Sequence, residues 1–445
     1  MVIKQFEDKN LSHYSYAILS DCEKQIILID PARNVTPYID FAKDNEATIV
    51  GVIETHPHAD FVSSHLELHE TTGAIIYASQ LVNAAYPHKT FDEGEVITLG
   101  KIKLTAYNTP GHSPDSISIL LEHEGKQKAV FTGDTLFIGD CGRPDLREDV
   151  GNIKAKKEDL AKQMYYSLRQ KLAKLNDDVI VYPAHGAGTL CGKNLSKEST
   201  STIGNEKQTN WSLQEASTEE FVTYLLADQP TVPAYFPYDV ALNKKGAPAM
   251  MESIATIKKG AATAPLNNEL WVVDVRAEND FKKGHLPHSV NIQENGKFET
   301  WLGSIIKPEE PFYIAAKDEA QLQRMLIRVA SIGYERAIEE TIIIDGGDVK
   351  EGQIDVAKFK QQKEDYTIVD VRNKSEVAHD VIFENSLSIP LGELRNRVNE
   401  IPTNKPVVVH CAGGYRSAVG SSLIHATLNG AVQIFDLGEA VKEFK

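Results

Sequence analysis

The chain has 445 residues, 42% of them hydrophobic and 25% charged, with a formal net charge of −16. That is globular composition, long enough for about three domains, and its acidity opposes a phosphate backbone, which excludes nucleic acid as a partner. No apolar run approaches the roughly 18 residues of a membrane helix, the first residues lack the apolar core of a secretory signal, and four cysteines (Cys22, Cys141, Cys191, Cys411) form no disulfide framework, so a cytoplasmic, reducing compartment is expected.

In chain order, Ile26–Asp30 (IILID) is a β-rich run closed by Pro31. Thr48–Glu54 (TIVGVIE) is a second and leads straight into Thr55-His56-Pro57-His58. Ala129–Asp134 (AVFTGD) and Val179–Pro183 (VIVYP) read the same way. These last three each end in or beside a polar cluster holding His or Asp, and loops at strand ends mount ligands on a rigid sheet. Leu160, Met164, Leu168, Leu172 and Leu175 recur at helical spacing over Lys157–Leu175. Asn194–Glu215 is polar and rich in Ser and Thr, Glu219–Leu226 returns to a helical pattern, and Pro230–Pro248 is rich in proline. The expected domains are 1–250, 251–350 and 351–445.

The last two are copies of one unit. LWVVDVR at Leu270–Arg276 recurs 96 positions on as YTIVDVR at Tyr366–Arg372. Gly284-His285-Leu286 leads to Val290-Asn291-Ile292 as His379 leads to Leu387-Ser388-Ile389. Pro311-Phe312-Tyr313-Ile314 matches Pro406-Val407-Val408-Val409, and Ile343-Ile344-Asp345-Gly346 is paired with Ile434-Phe435-Asp436-Leu437. Anchors repeating in the same order predict two tandem α/β units.

Chemistry gathers first at Thr55-His56-Pro57-His58-Ala59-Asp60, then at Pro110-Gly111-His112, Gly133-Asp134 and Ala184-His185-Gly186. Imidazoles and carboxylates without thiolate are first-row metal ligands. The pattern resembles the metallo-β-lactamase superfamily over about residues 1–200, which implies an αββα sandwich. Dinuclear hydrolases of that superfamily carry a further histidine directly after the motif aspartate. Here that position is Phe61, whose ring has no lone pair for a metal. One ion held by His56, His112 and Asp134 remains, and two histidines with one carboxylate form the facial triad of non-haem Fe(II) oxygenases. The segment GDTLFIGDCGRPDL resembles the persulfide dioxygenase branch. That resemblance implies one Fe(II) per chain, with His58, Asp60 and His185 around the ligands. Arg143 is a candidate for binding an anionic thiol substrate or for an ion pair, and Cys191 a candidate lining residue. Cys141 reads as a buried small hydrophobe.

The second constellation is VVVHCAGGYRS at Val407–Ser417: strand, cysteine, Gly-rich turn, helix. Inward-pointing amides and a helix N-terminus stabilise a thiolate. Gly413 and Gly414 permit the turn, and Arg416 adds a fixed charge. The loop resembles that of the rhodanese sulfurtransferases, which implies that Cys411 carries a sulfane sulfur as a persulfide. Phosphatase loops are one residue longer between Cys and Arg, so phosphate is the weaker reading. In the upstream copy Ala316 stands at the Cys411 position and Lys317-Asp318-Glu319 replaces the glycines, so residues 251–350 are expected to be a rhodanese-like unit without sulfur transfer.

The whole chain resembles a persulfide dioxygenase–rhodanese fusion of the multidomain sulfurtransferase type. This implies oxidation of low-molecular-weight thiol persulfides by O2 to sulfite, then thiosulfate formation on Cys411. The expected partners are those persulfides, O2 and sulfite, with no nucleic acid, no membrane and a homo-oligomeric assembly. Two rivals stay open: a dinuclear thioester hydrolase of the glyoxalase II kind, and a non-oxidative sulfur relay.

Overall fold

The structure is a computed structural model that describes residues 1–147, 156–229, 231–261 and 265–445. Pro230, which opens the proline-rich passage, lies outside the described residues. The chain divides into two compact units, Met1–Glu252 with Ala330–Gly333, and Ser253–Val329 with Tyr334–Lys445.

The first unit holds two six-stranded sheets. One runs in the order Val2–Asp8, His13–Ser20, Gln25–Ile29, Thr48–Ile53, Ile75–Ala78, Lys89–Thr90. The other runs Ser201–Thr202, Ile180–Pro183, Lys126–Gly133, Ile117–His123, Ile102–Asn108, Val96–Leu99. Alternation along the strands sorts side chains between two faces. Ile18, Ile27, Ile29 and Ile53 from the first sheet meet Leu104, Ile119, Leu121 and Phe131 from the second in one core. Ala17, Leu19, Ile26 and Leu28, on the opposite face, pack on Tyr38, Ala42 and Leu68 of the helices Thr36–Asp44 and His65–Thr72. Leu120, Val130 and Val181 likewise pack on Ala161, Met164, Leu168 and Phe221. Helices therefore cover both outer faces, giving the αββα order expected from the sequence.

The helix expected over Lys157–Leu175 is α-helical over Lys157–Tyr166, then widens into a π turn at Ser167–Lys171 and tightens at Leu172–Lys174. Met164, Leu168, Leu172 and Leu175 join that core as their spacing requires, and Leu160 is buried as well. The polar Asn194–Glu215 stretch holds a helix, Ile203–Thr209, whose N-terminus Thr202 caps. Ile203 is buried, and the buried Glu206 carboxylate accepts hydrogen bonds from Gly139 N–H at 2.9 Å and Asn210 Nδ2 at 2.8 Å. Buried polar contacts, which leave no hydrophobic period, hold it in place.

The second unit contains two all-parallel sheets. The first runs Lys258–Lys259, Ile338–Ile343, Phe312–Ala316, Trp271–Asp274, Ser289–Asn291. The second runs Leu387–Ser388, Thr367–Asp370, Val407–His410, Ile434–Asp436. Their central strands are buried along their whole length, as parallel strands covered on both faces must be. The ladders place Asp274 beside Ala315 and Asp370 beside His410, so the repeat holds at the residue level. The fourth paired anchor shifts. Ile314 pairs with Thr341 and Val409 with Asp436, making Thr341 rather than Asp345 the counterpart of Asp436. The Ile338–Ile343 strand is longer than Ile434–Asp436, and similar apolar composition at its far end mimicked the register.

Candidate metal centre and cysteine loop

His56, His112 and Asp134 come together from three strand ends. Each offers one ligand atom, and the three atoms lie within 4.8 Å of one another in a buried cluster. His56 follows strand Thr48–Ile53 and Asp134 follows Lys126–Gly133, while His112 lies in the loop between Ile102–Asn108 and Ile117–His123. Asp134 Oδ2 is 3.5 Å from His112 Nε2 and 3.8 Å from His56 Nε2. It is fully buried and accepts no hydrogen bond. His112 Nδ1–H donates to the Arg143 carbonyl at 2.8 Å, which sets the tautomer and turns the Nε2 lone pair toward Asp134. An orphaned carboxylate oxygen facing two imidazole nitrogens fits a divalent transition metal.

His185 joins two carboxylates. Its Nδ1–H donates to Asp134 Oδ1 at 2.8 Å, and its Nε2 lies 3.0 Å from Asp60 Oδ2. Burial alone would lower this imidazole, but Asp134 and Asp60 raise it well above its ordinary value. Burial would raise Asp134; His185, His112 and His56 instead hold it well below the usual carboxylate range. Cys191 is fully buried, and a second group within 4.8 Å is formed by Asp60, His185 and Cys191. Burial and the carboxylates of Asp60 and Asp134 push the Cys191 thiol well up. Phe61 is buried with its ring 4.3 Å from His58 and 3.9 Å from His13, centroid to centroid.

Several buried residues that carried no signal for the site hold its loops. Asp30, at the end of IILID, accepts from Thr55 N–H at 2.7 Å and Thr55 Oγ1–H at 2.8 Å, and lies 3.3 Å from His58 Nε2. Asn243 Nδ2 donates to the carbonyls of His58 at 2.8 Å and Phe61 at 2.7 Å, while its Oδ1 accepts from Ser63 N–H at 2.8 Å. His13, which opens its strand, stands between Phe61, His58 and His185. Only a strand-end acid before Pro31 could have flagged Asp30; Asn243 is far away in sequence and leaves no pattern. Arg143 is buried, and its guanidinium is paired with Asp145 at 2.5 Å and donates to the Leu190 carbonyl at 3.3 Å. Of its two readings, the structure displays the ion pair. Cys141 sits in the apolar cluster with Leu136 and Ile138.

In the second unit, Cys411 follows strand Val407–His410 and is buried. Its Sγ accepts from Gly414 N–H at 3.1 Å and Gly413 N–H at 3.5 Å, with Ser417 Oγ 3.7 Å away. Gly414 has φ +110° and caps the helix Tyr415–Leu428, whose positive end faces the sulfur. Arg416 is held bidentately by Glu376, at 2.6 and 2.7 Å, so its charge near the loop is largely compensated. Ala316 ends the equivalent strand of the upstream copy.

A metallo-beta-lactamase superfamily model matches residues 10–185, and a rhodanese-like domain model matches 258–347 and 355–445. The crystal structure of a metallo-beta-lactamase from Staphylococcus aureus is 30% identical, with a TM-score of 0.68, covering 79% of this chain and 99% of its own. The chain belongs to the metallo-β-lactamase superfamily. Two rhodanese-like domains follow that fold, and relatives named for dioxygenase and for hydrolase activity accompany it. The mouse mitochondrial persulfide dioxygenase ETHE1 is 27% identical over 54% of this chain and 85% of its own length. A cytoplasmic hydroxyacylglutathione hydrolase from Arabidopsis thaliana is 30% identical over 52% of this chain and 82% of its own. Among the described residues no helix is long and apolar enough to cross a membrane.

Proposed function

We propose that the chain couples a non-haem Fe(II) persulfide dioxygenase, built on His56, His112 and Asp134, to a sulfurtransferase built on Cys411. The carrying observation is the buried Asp134 Oδ2, without a hydrogen-bond donor and facing two imidazole nitrogens. A bound Fe(II) would supply the redox chemistry by which O2 is spent on the outer sulfur, R-S-SH + O2 + H2O giving R-SH and sulfurous acid, which ionises to sulfite. Asp134 divides its work, one oxygen toward the ligand set and the other accepting from His185. His185, between two carboxylates, holds a proton within the site. The Arg143 carbonyl orients His112, and Cys191 borders the same cluster.

At the other site, the amides of Gly413 and Gly414 donate to the Cys411 sulfur and hold it at the mouth of the loop. A sulfane sulfur placed there is open to sulfite, which takes the outer sulfur as thiosulfate and returns the Cys411 thiol. Two sulfur-competent sites in one chain would limit escape of sulfite and persulfide, both reactive. The expected setting is sulfide detoxification in the cytoplasm.

The test is O2 uptake by anaerobically Fe(II)-loaded full-length protein given a low-molecular-weight persulfide, with sulfite and thiosulfate assayed together. Uptake yielding thiosulfate is expected. Asp134→Ala should lose bound iron and uptake by about 10³-fold while Cys411-dependent transfer persists. No uptake with iron bound would overturn the dioxygenase reading.

A second reading has its own observation. Asp60, His185 and Cys191 form a further buried donor set, and hydroxyacylglutathione hydrolases are among the relatives. A dinuclear thioester hydrolase would hold about two metal ions per chain and cleave a glutathione thioester. Absence of thioester cleavage by the metal-loaded protein removes it.

A further inference from the structure

Two imidazoles and a carboxylate also converge in the second unit, away from Cys411. His285, Glu351 and His425 each offer a ligand atom, and the three atoms lie within 4.8 Å of one another. They come from three segments. His285 follows the helix Glu278–Lys283 of the upstream copy, Glu351 lies in the connector between the copies, and His425 stands on the helix Tyr415–Leu428 that begins at the Cys411 loop.

The backbone around them is fixed. His285 N–H donates to the Val349 carbonyl at 2.9 Å, Val349 N–H returns to the His285 carbonyl at 3.2 Å, and Glu351 N–H donates to the Lys282 carbonyl at 3.2 Å. So close is the connector that a Cβ on Gly347 would lie 2.1 Å from the His285 carbonyl oxygen, a position only glycine can fill. The His285 ring stacks on Phe281 with centroids 3.8 Å apart, and its Nδ1–H donates to the Phe281 carbonyl at 3.0 Å. That bond fixes the tautomer and leaves the Nε2 lone pair for the cluster. The His285 and His425 ring centroids are 6.0 Å apart.

Among the described residues no cation is paired with Glu351. Its Oε1 is buried and accepts no hydrogen bond. Lys282 is engaged elsewhere, paired with Glu278 and 2.9 Å from Asp436. Burial pushes the Glu351 carboxyl up to about 7, with Asp436 and Glu278 adding to it against Lys282, and burial draws the His285 imidazole down to about 4. Both imidazoles are therefore neutral donors at pH 7, because burial lowers His425 as well.

We propose that His285, Glu351 and His425 bind a divalent transition-metal ion, best matched by Zn2+, which ties the upstream copy, the connector and the cysteine-loop helix into one body. Two His and one Glu with water at a fourth position make a recognised Zn2+ donor set, and Zn2+ outcompetes Fe(II) for such ligands. The ion would anchor the far end of the helix whose near end holds the Cys411 sulfur.

Metal-free full-length protein would be titrated with Zn2+, and separately with Co2+, in the wild type, Glu351→Gln and His425→Gln. All three keep the His56 cluster intact, so any ion bound there cancels in the comparison. The wild type should take up one Zn2+ per chain more than either variant. Co2+ should give it a visible absorption band that both variants lack. Equal stoichiometry in wild type and in variants with native circular dichroism would overturn the proposal. A measurement on wild-type protein alone guards against misfolded variants: Zn2+ should protect the half-buried His425 from diethylpyrocarbonate, read by mass spectrometry. Unchanged modification of His425 in saturating Zn2+ would overturn the proposal equally.

Discussion

The two tandem copies share a frame and part company at one loop. In both, an Asp–x–Arg at the end of a central strand closes on itself. Arg276 Nη2 lies 2.7 Å from Asp274 and donates to the Gly284 carbonyl; Arg372 Nη2 lies 2.6 Å from Asp370 and donates to the Asp380 carbonyl. The next strand ends at His410 and runs into Cys411 in one copy, and ends in Ala315-Ala316 in the other. After Cys411 the free amides of Gly413 and Gly414 turn inward onto sulfur. After Ala316 the chain caps its own helix instead. Gln321 N–H donates to Asp318 Oδ1 at 2.7 Å, and Lys317 N–H donates to Gln321 Oε1 at 3.0 Å. Two of the loop's amides are thus bound within it, and Asp318 and Glu319 stand where Gly413 and Gly414 turn onto sulfur, so the glycine cradle is not reproduced. Retained frame and lost cradle show that the Asp–Arg pair serves the fold, while the proposed sulfur chemistry rests on a loop of a few residues.

The largest expected effect comes from making the active copy resemble its neighbour. Cys411→Ser should reduce sulfur transfer to an acceptor such as cyanide by at least about 10³-fold. O2 uptake should persist, with product shifting from thiosulfate to sulfite. An unchanged thiosulfate yield would show that the two sites do not act in series.

The next contrast is His410 against Ala315. Burial holds His410 at about 4, against an ordinary value of 6.5. Between those pH values the unfolded chain takes up a proton that the folded chain refuses. This contribution is thus complete above pH 6.5 and is lost as pH falls toward 4, at about 1.4 kcal/mol per pH unit, or up to about 3 kcal/mol in all. Denaturant unfolding at pH 6.5 and 4.5 checks it. His410→Asn should lose about 2 kcal/mol less than wild type across that interval. Equal losses would mean that His410 titrates normally.

Gly414→Ala tests the turn itself. At φ +110° an alanine is strained, and its Cβ would meet Glu439 N and the Gly438 carbonyl carbon at 3.3 Å. A stability cost of about 1–3 kcal/mol is expected. Transfer should fall by about 10-fold, because the amide 3.1 Å from Sγ moves. Activity retained at an unchanged melting temperature would remove the amide cradle from the argument.

What the sequence made legible was whatever left a local pattern. Strand ends bearing His56, Asp134 and His185, the DVR repeat, and the glycines beside Cys411 are short-range signals, and the structure builds elements at each. The αββα order followed from resemblance, and alternation along Ala17–Leu19 and Ile26–Ile29 explains why both faces of a sheet are covered. Contacts between distant segments were illegible. Asn243 binds the His58–Ser63 loop across 180 or more positions, and Glu376 reaches Arg416 across 40. Neither shares a period or a motif with its partner. Such a contact also settles charge: Arg416 reads from sequence as a fixed charge at the loop, yet it meets Glu376, while the local Arg143–Asp145 pair is one of the two readings the sequence left open for Arg143.

The smallest expected effect is a null one. Ala316→Cys, placed in a Cys411→Ser background, restores the thiol at the end of a buried strand but leaves the neighbouring amides bound to Asp318 and Gln321. A thiol gains nucleophilic character from what stabilises its anion, and burial without donors raises its pKa instead. Sulfur transfer should therefore stay at the Cys411→Ser background. Alkylation of that thiol by iodoacetamide should be slow at pH 7 and speed up only as pH rises above the pKa of an ordinary thiol. Recovery of even about a tenth of wild-type transfer would place the decisive difference between the copies in the sulfur atom alone, since the self-capped loop would then have proved no obstacle.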